Sequence, residues 1–180
     1  MVPFERDKGE TVMRAVLISI RPEWVEKILS GKKTLEVRRN RPKLETPFKC
    51  YIYCTSNGGH LTNSKGTEFL NRKVVAEFVC DRIDCVDIPY PAFMGELDKH
   101  WMDDSCCTYW QLHRYVYHDN AYFWHISNMK IYDSPLELDC LRKPILCHRG
   151  AQRENCAGCW DCEIKSPPQS WCYVEKLRNG

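Results

Sequence analysis

One run of residues constrains this chain more than any other. Ala15-Val16-Leu17-Ile18-Ser19-Ile20 is short, apolar and rich in β-branched side chains, and Arg21-Pro22 follows it directly. Such a run reads as a buried strand that stops at a proline. Pro22 then suits the first position of a helix, where its missing N–H would have no partner in any case. Trp24, Val25, Ile28 and Leu29 recur at helical spacing, and Ser30-Gly31 ends the helix. From Thr34 to Arg38 the pattern alternates, with Thr34, Glu36 and Arg38 on one face and Leu35 and Val37 on the other. Further strands are predicted at 48–55, 74–79 and 121–132, a helix at 108–117 and a last strand at 170–177. Regular strand–helix alternation is absent, which excludes a parallel α/β sheet. The expectation is an α+β protein built on a small mixed β-barrel with a few peripheral helices.

The division expected along the chain is a tail at 1–12, the barrel at 13–143, a Cys-rich insert at 144–168, and a closing strand with the C-terminus at 169–180. With 43% hydrophobic and 28% charged residues, a packed core is expected rather than disorder. No apolar stretch approaches the ~18 residues of a membrane helix, so no membrane partner is expected. The charged N-terminus carries no apolar signal core, and the expected location is the reducing cytoplasm. There the seven cysteines at 50, 54, 80, 85, 106, 107 and 140 read as small buried hydrophobes.

Charge is concentrated in one place. Residues 32–43 hold six basic side chains and one acid, a net +5 within a chain of +2. Lys32, Arg38, Arg39, Arg41 and Lys43 are therefore candidates for a polyanion-binding strip. Trp24, Tyr51 and Tyr53 stand near it in sequence, as base-stacking partners or as core aromatics. In the same segment Lys33 and Glu36 bring an amine and a carboxylate together, either for proton transfer or as an ion-paired strand face. Glu77 is the one acid in the apolar strand Val74-Val75-Ala76-Glu77-Phe78. His125 shares an alternating face with Phe123 and Ser127, as a proton acceptor or as a satisfied histidine.

Gly31-x-Lys33-x-x-Glu36-x-Arg38, following a strand and a short helix, resembles the GxKxxExR signature of the ASCH superfamily, a group of PUA-like β-barrels. The similarity runs through about residues 13–135, and Pro167-Pro168-Gln169-Ser170-Trp171 resembles the end of small bacterial and phage ASCH proteins. The resemblance implies binding of RNA or a nucleotide beside the signature. For some members it implies hydrolysis of acylated cytidine-like nucleosides or of RNA. The catalytic set it implies is Lys33, a residue at the position of Glu36, and Glu77. The amidohydrolases carry threonine where this chain has Glu36, so that chemistry does not transfer unchanged. A Lys33/Glu36/Glu77 site would have to activate water or serve only to bind.

A second pattern is Cys147-His148-x7-Cys156-x2-Cys159-x2-Cys162. Three thiols at two-residue gaps can converge on one ion, with Cys147 as the expected fourth ligand and His148 or Cys172 as alternatives. Structural zinc takes four such ligands tetrahedrally. It would stabilise an insert with little core of its own. The alternatives are free thiols in a loop and an iron–sulfur cluster, for which the usual Cys-Pro is absent.

Overall fold

The computed structural model describes residues 14–117, 119–144 and 162–177. Its frame is a six-stranded mixed sheet in the order β2-β5-β4-β3-β1-β6. β1 (Arg14–Ile20) is buried from Ala15 onward, because it lies inside the sheet, parallel to β3 (Phe48–Cys54) on one side and antiparallel to β6 (Trp171–Glu175) on the other. The continuous apolar run in the sequence is what a strand covered on both faces requires.

Between β1 and β2 runs α1 (Pro22–Leu29), with Pro22 in its first turn and Val25 and Ile28 buried against the sheet. Ser30 N–H donates to the Glu26 carbonyl, and Gly31 turns the chain back at φ +74°. An L-residue with a side chain adopts that conformation reluctantly. The turn delivers β2 (Leu35–Arg38), which pairs antiparallel with β5 alone.

β4 (Val74–Asp87) and β5 (Asn120–Leu136) are longer than their apolar patterns predict. Irregularities between Val74 and Ala76, between Glu77 and Val79 and between Cys80 and Ile83 break the two-residue period. The outer half of β4 also carries Asp81, Arg82, Asp84 and Asp87 towards solvent, which hides a strand from sequence reading. The link between β4 and β5 holds a 3-10 turn (Pro91–Glu96), α2 (Lys99–Ser105) and α3 (Tyr109–Val116). α2 was not expected. α3 matches the prediction, and its N-cap Thr108 accepts from Gln111 N–H while Gln111 Oε1 accepts from Thr108 N–H.

The expected barrel is corrected by the pairing: among the described residues, β2 and β6 each pair on one side only, so the sheet is not closed. The chain after β2 is irregular through residues 39–47 and forms no ladder with β6. Side chains bridge the two ends instead. Arg38 Nη2 donates to the Ser19 carbonyl at 2.8 Å, Trp171 Nε1 to Asn40 Oδ1 at 2.7 Å, and Lys43 N–H to Tyr173 Oη at 2.7 Å.

Three apolar clusters fill the molecule. One face of the sheet buries Val16, Ile18, Ile52, Phe78 and Trp124 beneath α1. The other buries Leu17, Tyr51, Tyr53 and Val74 beneath Leu141, Ile164 and Val174. The third joins Leu35, Val37 and Phe123 to Leu112 and Val116 of α3. Among the cysteines, Cys50, Cys54 and Cys80 are buried as expected, whereas Cys85 and Cys140 are exposed because their strand and turn face solvent. Burial pushes the Cys54 thiol up to about 11 and Cys80 to about 12, which suits packing and not reactivity. Among the described residues, no helix is long and apolar enough to cross a membrane.

The capping geometry gives a stability prediction. Thr108→Ala removes one partner of the reciprocal cap and should lower unfolding stability by about 1 kcal/mol. Urea denaturation should show a lower midpoint with an unchanged slope.

Candidate functional site at the sheet edge

The signature folds into a buried ionic network at one end of the sheet. Lys33, Glu36 and Arg38 are only 3%, 6% and 8% exposed. Lys33 Nζ donates to the carbonyls of Leu35 and Ser105, both at 2.8 Å, and stands 3.4 Å from Glu36 Oε2. Arg38 Nη2 meets Glu36 Oε1 at 3.1 Å. Lys33 thus binds a terminal carbonyl of α2, which has no partner within its own helix. Two further bonds stitch the same helix end to the signature: Thr34 N–H to the Asp104 carbonyl, and Cys106 Sγ to the Lys32 carbonyl. The nearby Trp24 ring is half-buried and already has cations on it, Lys27 at 4.4 Å and Lys33 at 5.3 Å.

The network leaves polar atoms over. Glu36 Oε2 lies within ion-pair distance of Lys33 but receives no hydrogen bond, and Arg38 Nε donates none. Glu36 sits directly opposite Trp124 in the β2–β5 ladder, so the two side chains share a face. Trp124 Nε1 is also buried without a partner. One acceptor, ion-paired to Lys33, and two donors on one side of the sheet therefore lack a hydrogen bond, and a buried polar group left so costs about 1–3 kcal/mol.

Glu77 does not join this group. It pairs in register with Tyr51, on the face opposite Ala76 and Phe78 and away from Trp124. There Glu77 Oε1 meets Lys49 Nζ at 2.6 Å, and Oε2 accepts from Tyr132 Oη at 2.7 Å. Burial alone would raise its pKa. The hydrogen bonds from Lys49 and Tyr132, with the charges of Lys49 and Lys130, outweigh burial and hold the carboxyl below the usual glutamate range.

The basic residues divide by exposure. Arg38 is consumed by the buried network, while Lys32, Arg39, Arg41 and Lys43 are exposed. Arg39 Nε donates to the Tyr115 carbonyl of α3. Tyr51 and Tyr53 are 0% and 5% exposed and serve the core, not stacking. His125 Nε2 lies 2.6 Å from Asp84 Oδ2 and 3.0 Å from Arg82 Nη2, on the bulged part of β4. Sequence reading missed Asp84 and Arg82 as its neighbours, because the bulge sets that register. Cys147, Cys156 and Cys159 lie outside the described residues. Cys162 is buried, and its carbonyl accepts from Lys143 N–H. Among the described residues, no three His, Cys, Asp or Glu side chains are grouped to hold a metal.

Two outcomes are expected. Arg38→Met leaves Glu36 buried with a poorer partner and should cost about 3–5 kcal/mol. Glu36→Gln should cost less in that background than alone, giving a coupling of about 0.5–3 kcal/mol in a double-mutant cycle read by urea unfolding. For Glu77 the folded pKa is the lower one, so its contribution is full above the unfolded value, about 4.3. It is lost as pH falls through the folded value. Glu77→Gln should therefore flatten the acid limb of a stability–pH curve below about pH 4.3. Parallel curves for wild type and variant would show that the Lys49–Glu77–Tyr132 group contributes nothing.

Comparison with known proteins agrees with this architecture. The ASCH domain family model matches residues 18–79, which span β1, α1, the signature, β3 and the start of β4. A search of curated proteins gave no match. The crystal structure of ASCH from Zymomonas mobilis superposes with a TM-score of 0.58 at 20% identity, covering 90% of this chain and 88% of that one. A tyrosine-to-phenylalanine variant of the same Zymomonas mobilis protein gives 0.57 at 19% identity, over 90% and 91% of the two chains. A serine-to-alanine variant gives 0.58 at 19%, over 90% and 89%. Residues 18–79, which hold the signature, are thus similar to the ASCH domain family, and the fold of the chain is similar to that of solved ASCH structures.

Proposed function

We propose that this chain binds RNA or a nucleotide in the seam between the two free edges of its sheet, beside the signature. The observation that carries this reading is the trio of buried polar atoms without a hydrogen bond, Glu36 Oε2, Arg38 Nε and Trp124 Nε1. A nucleobase edge offers the complementary set: an exocyclic amino group to donate to Glu36, and carbonyl or ring-nitrogen acceptors for Arg38 and Trp124. The seam is crossed by side-chain bonds and not by a ladder, so opening it breaks no strand pairing. Arg41 and Lys43 lie on the loop that crosses it, exposed and placed for phosphates. The ASCH domain supports the same reading, since PUA-like folds generally bind RNA.

The rival reading is a hydrolase that uses Lys33, Glu36 and Glu77 on an acylated cytidine-like nucleoside or on RNA. It draws no support from the geometry. Glu77 faces the other side of the sheet and is committed to Lys49 and Tyr132. Two of the three N–H bonds of Lys33 are taken by carbonyls. Structural zinc on Cys147, Cys156, Cys159 and Cys162 remains a proposal that rests on their spacing alone.

The test is electrostatic. Arg41→Glu combined with Lys43→Glu should weaken binding of a single-stranded RNA. It should also make the plot of log affinity against log salt shallower by about 1.4, since each phosphate contact to a single strand contributes about 0.7. An affinity indifferent to both the double substitution and salt would remove the strip from the binding surface.

A further inference from the structure

The outer face of α3 is built unlike an ordinary solvated helix. Its buried stripe is Tyr109, Leu112 and Val116. Trp110 lies off that stripe and is 59% exposed, Tyr115 is 37% exposed, and Tyr117 at the helix end is 77% exposed. Trp110 meets the Tyr109 ring edge-on at 5.3 Å, yet more than half of it lies in solvent, and adjoining exposed aromatics point to a contact surface. Arg114 follows Trp110 by four residues, so both stand in one row on the helix surface. Residues 109–117 contain His113 and Arg114 and no acid.

The same face joins the basic strip. The Arg39 guanidinium lies 5.2 Å from the centre of the Tyr115 ring, and its Nε donates to the Tyr115 carbonyl. Cations and exposed rings thus alternate from the end of β2 onto α3. We infer that the outer face of α3 is a platform for single-stranded RNA, continuous with the basic strip, on which bases stack against Trp110 while Arg114 and Arg39 meet phosphates. The inference rests on the polyanion reading of residues 32–43 and extends it to a named surface. Bases expose their faces only when unpaired, so the platform selects single strands over duplexes. The absence of acids from residues 109–117, and their continuity with the exposed Arg39, Arg41 and Lys43, favour a polyanion over a protein partner.

The experiment compares one single-stranded RNA of about 12 nucleotides, within the usual range of site sizes, with its duplex. Trp110→Ala should weaken single-strand binding about tenfold, the lower part of the range for losing one base–aromatic stack. Duplex binding and thermal stability should be unchanged, and Trp110→Phe should restore most of the affinity. If the Arg41→Glu, Lys43→Glu protein loses RNA binding while Trp110→Ala keeps it, the strip stands and the platform is overturned, leaving the patch to a protein contact. If Trp110→Ala loses binding while the charge-reversed protein keeps it, the strip reading falls and with it the continuous platform inferred here. Equal losses on single strand and duplex would also overturn the platform, because stacking on Trp110 cannot act on paired bases.

Discussion

The buried contact of Glu36 with Lys33 and Arg38 is the constraint around which the rest of this domain is arranged. Removing three charges from water is costly, and only close partners and hydrogen bonds offset that cost. Here the partners come from four parts of the chain. Lys33 reaches the end of α2, Arg38 reaches the Ser19 carbonyl of β1, and Glu36 lies between them on β2. The signature segment, residues 32–38, thereby fixes a helix terminus and the opposite region of the sheet.

That arrangement accounts for how an open sheet holds its shape. A ladder between β2 and β6 would satisfy backbone groups uniformly and leave no room between the edges. Three side-chain bridges do the joining instead, and their directionality leaves neighbouring polar atoms without hydrogen bonds. Three of the buried side-chain atoms without a hydrogen bond, Glu36 Oε2, Arg38 Nε and Trp124 Nε1, collect beside the signature. Partially satisfied networks of this kind are characteristic of sites where a protein departs from its own packing rules for function.

Around this centre, the long β4–β5 pair works as an arm. Its bulges turn polar residues outward and carry the 3-10 turn and the two helices to the side where β2 ends. The third cluster, with Leu112 and Val116 against Leu35, Val37 and Phe123, locks α3 there. The placement of the α3 aromatics beside Arg39 follows from that packing, although 76 residues separate Arg39 from Tyr115.

The sequence by itself determined the elements whose signal is local. The apolar run of β1, Pro22 and Gly31 around α1, the signature and the helix at 108–117 each specify their structure within a few residues, and the structure holds all of them. Tertiary structure decided the rest. Alternation placed Glu36 and Arg38 on one face but could not show that this face is buried, which depends on Trp124 and on Ser19 of β1. It could not show that Glu77 looks the other way, because that depends on the β3–β4 register and on which face each strand offers to the core. Nor could it show that Tyr51 and Tyr53 are core residues, or that β4 runs on through Asp81 to Asp87. Charged residues read as loop until a partner strand pairs their backbone. Closure was the last such question: strand count and order suit a barrel and an open sheet equally, and the choice falls to whether the two edge strands meet, a distance between residues remote in sequence that no local pattern encodes.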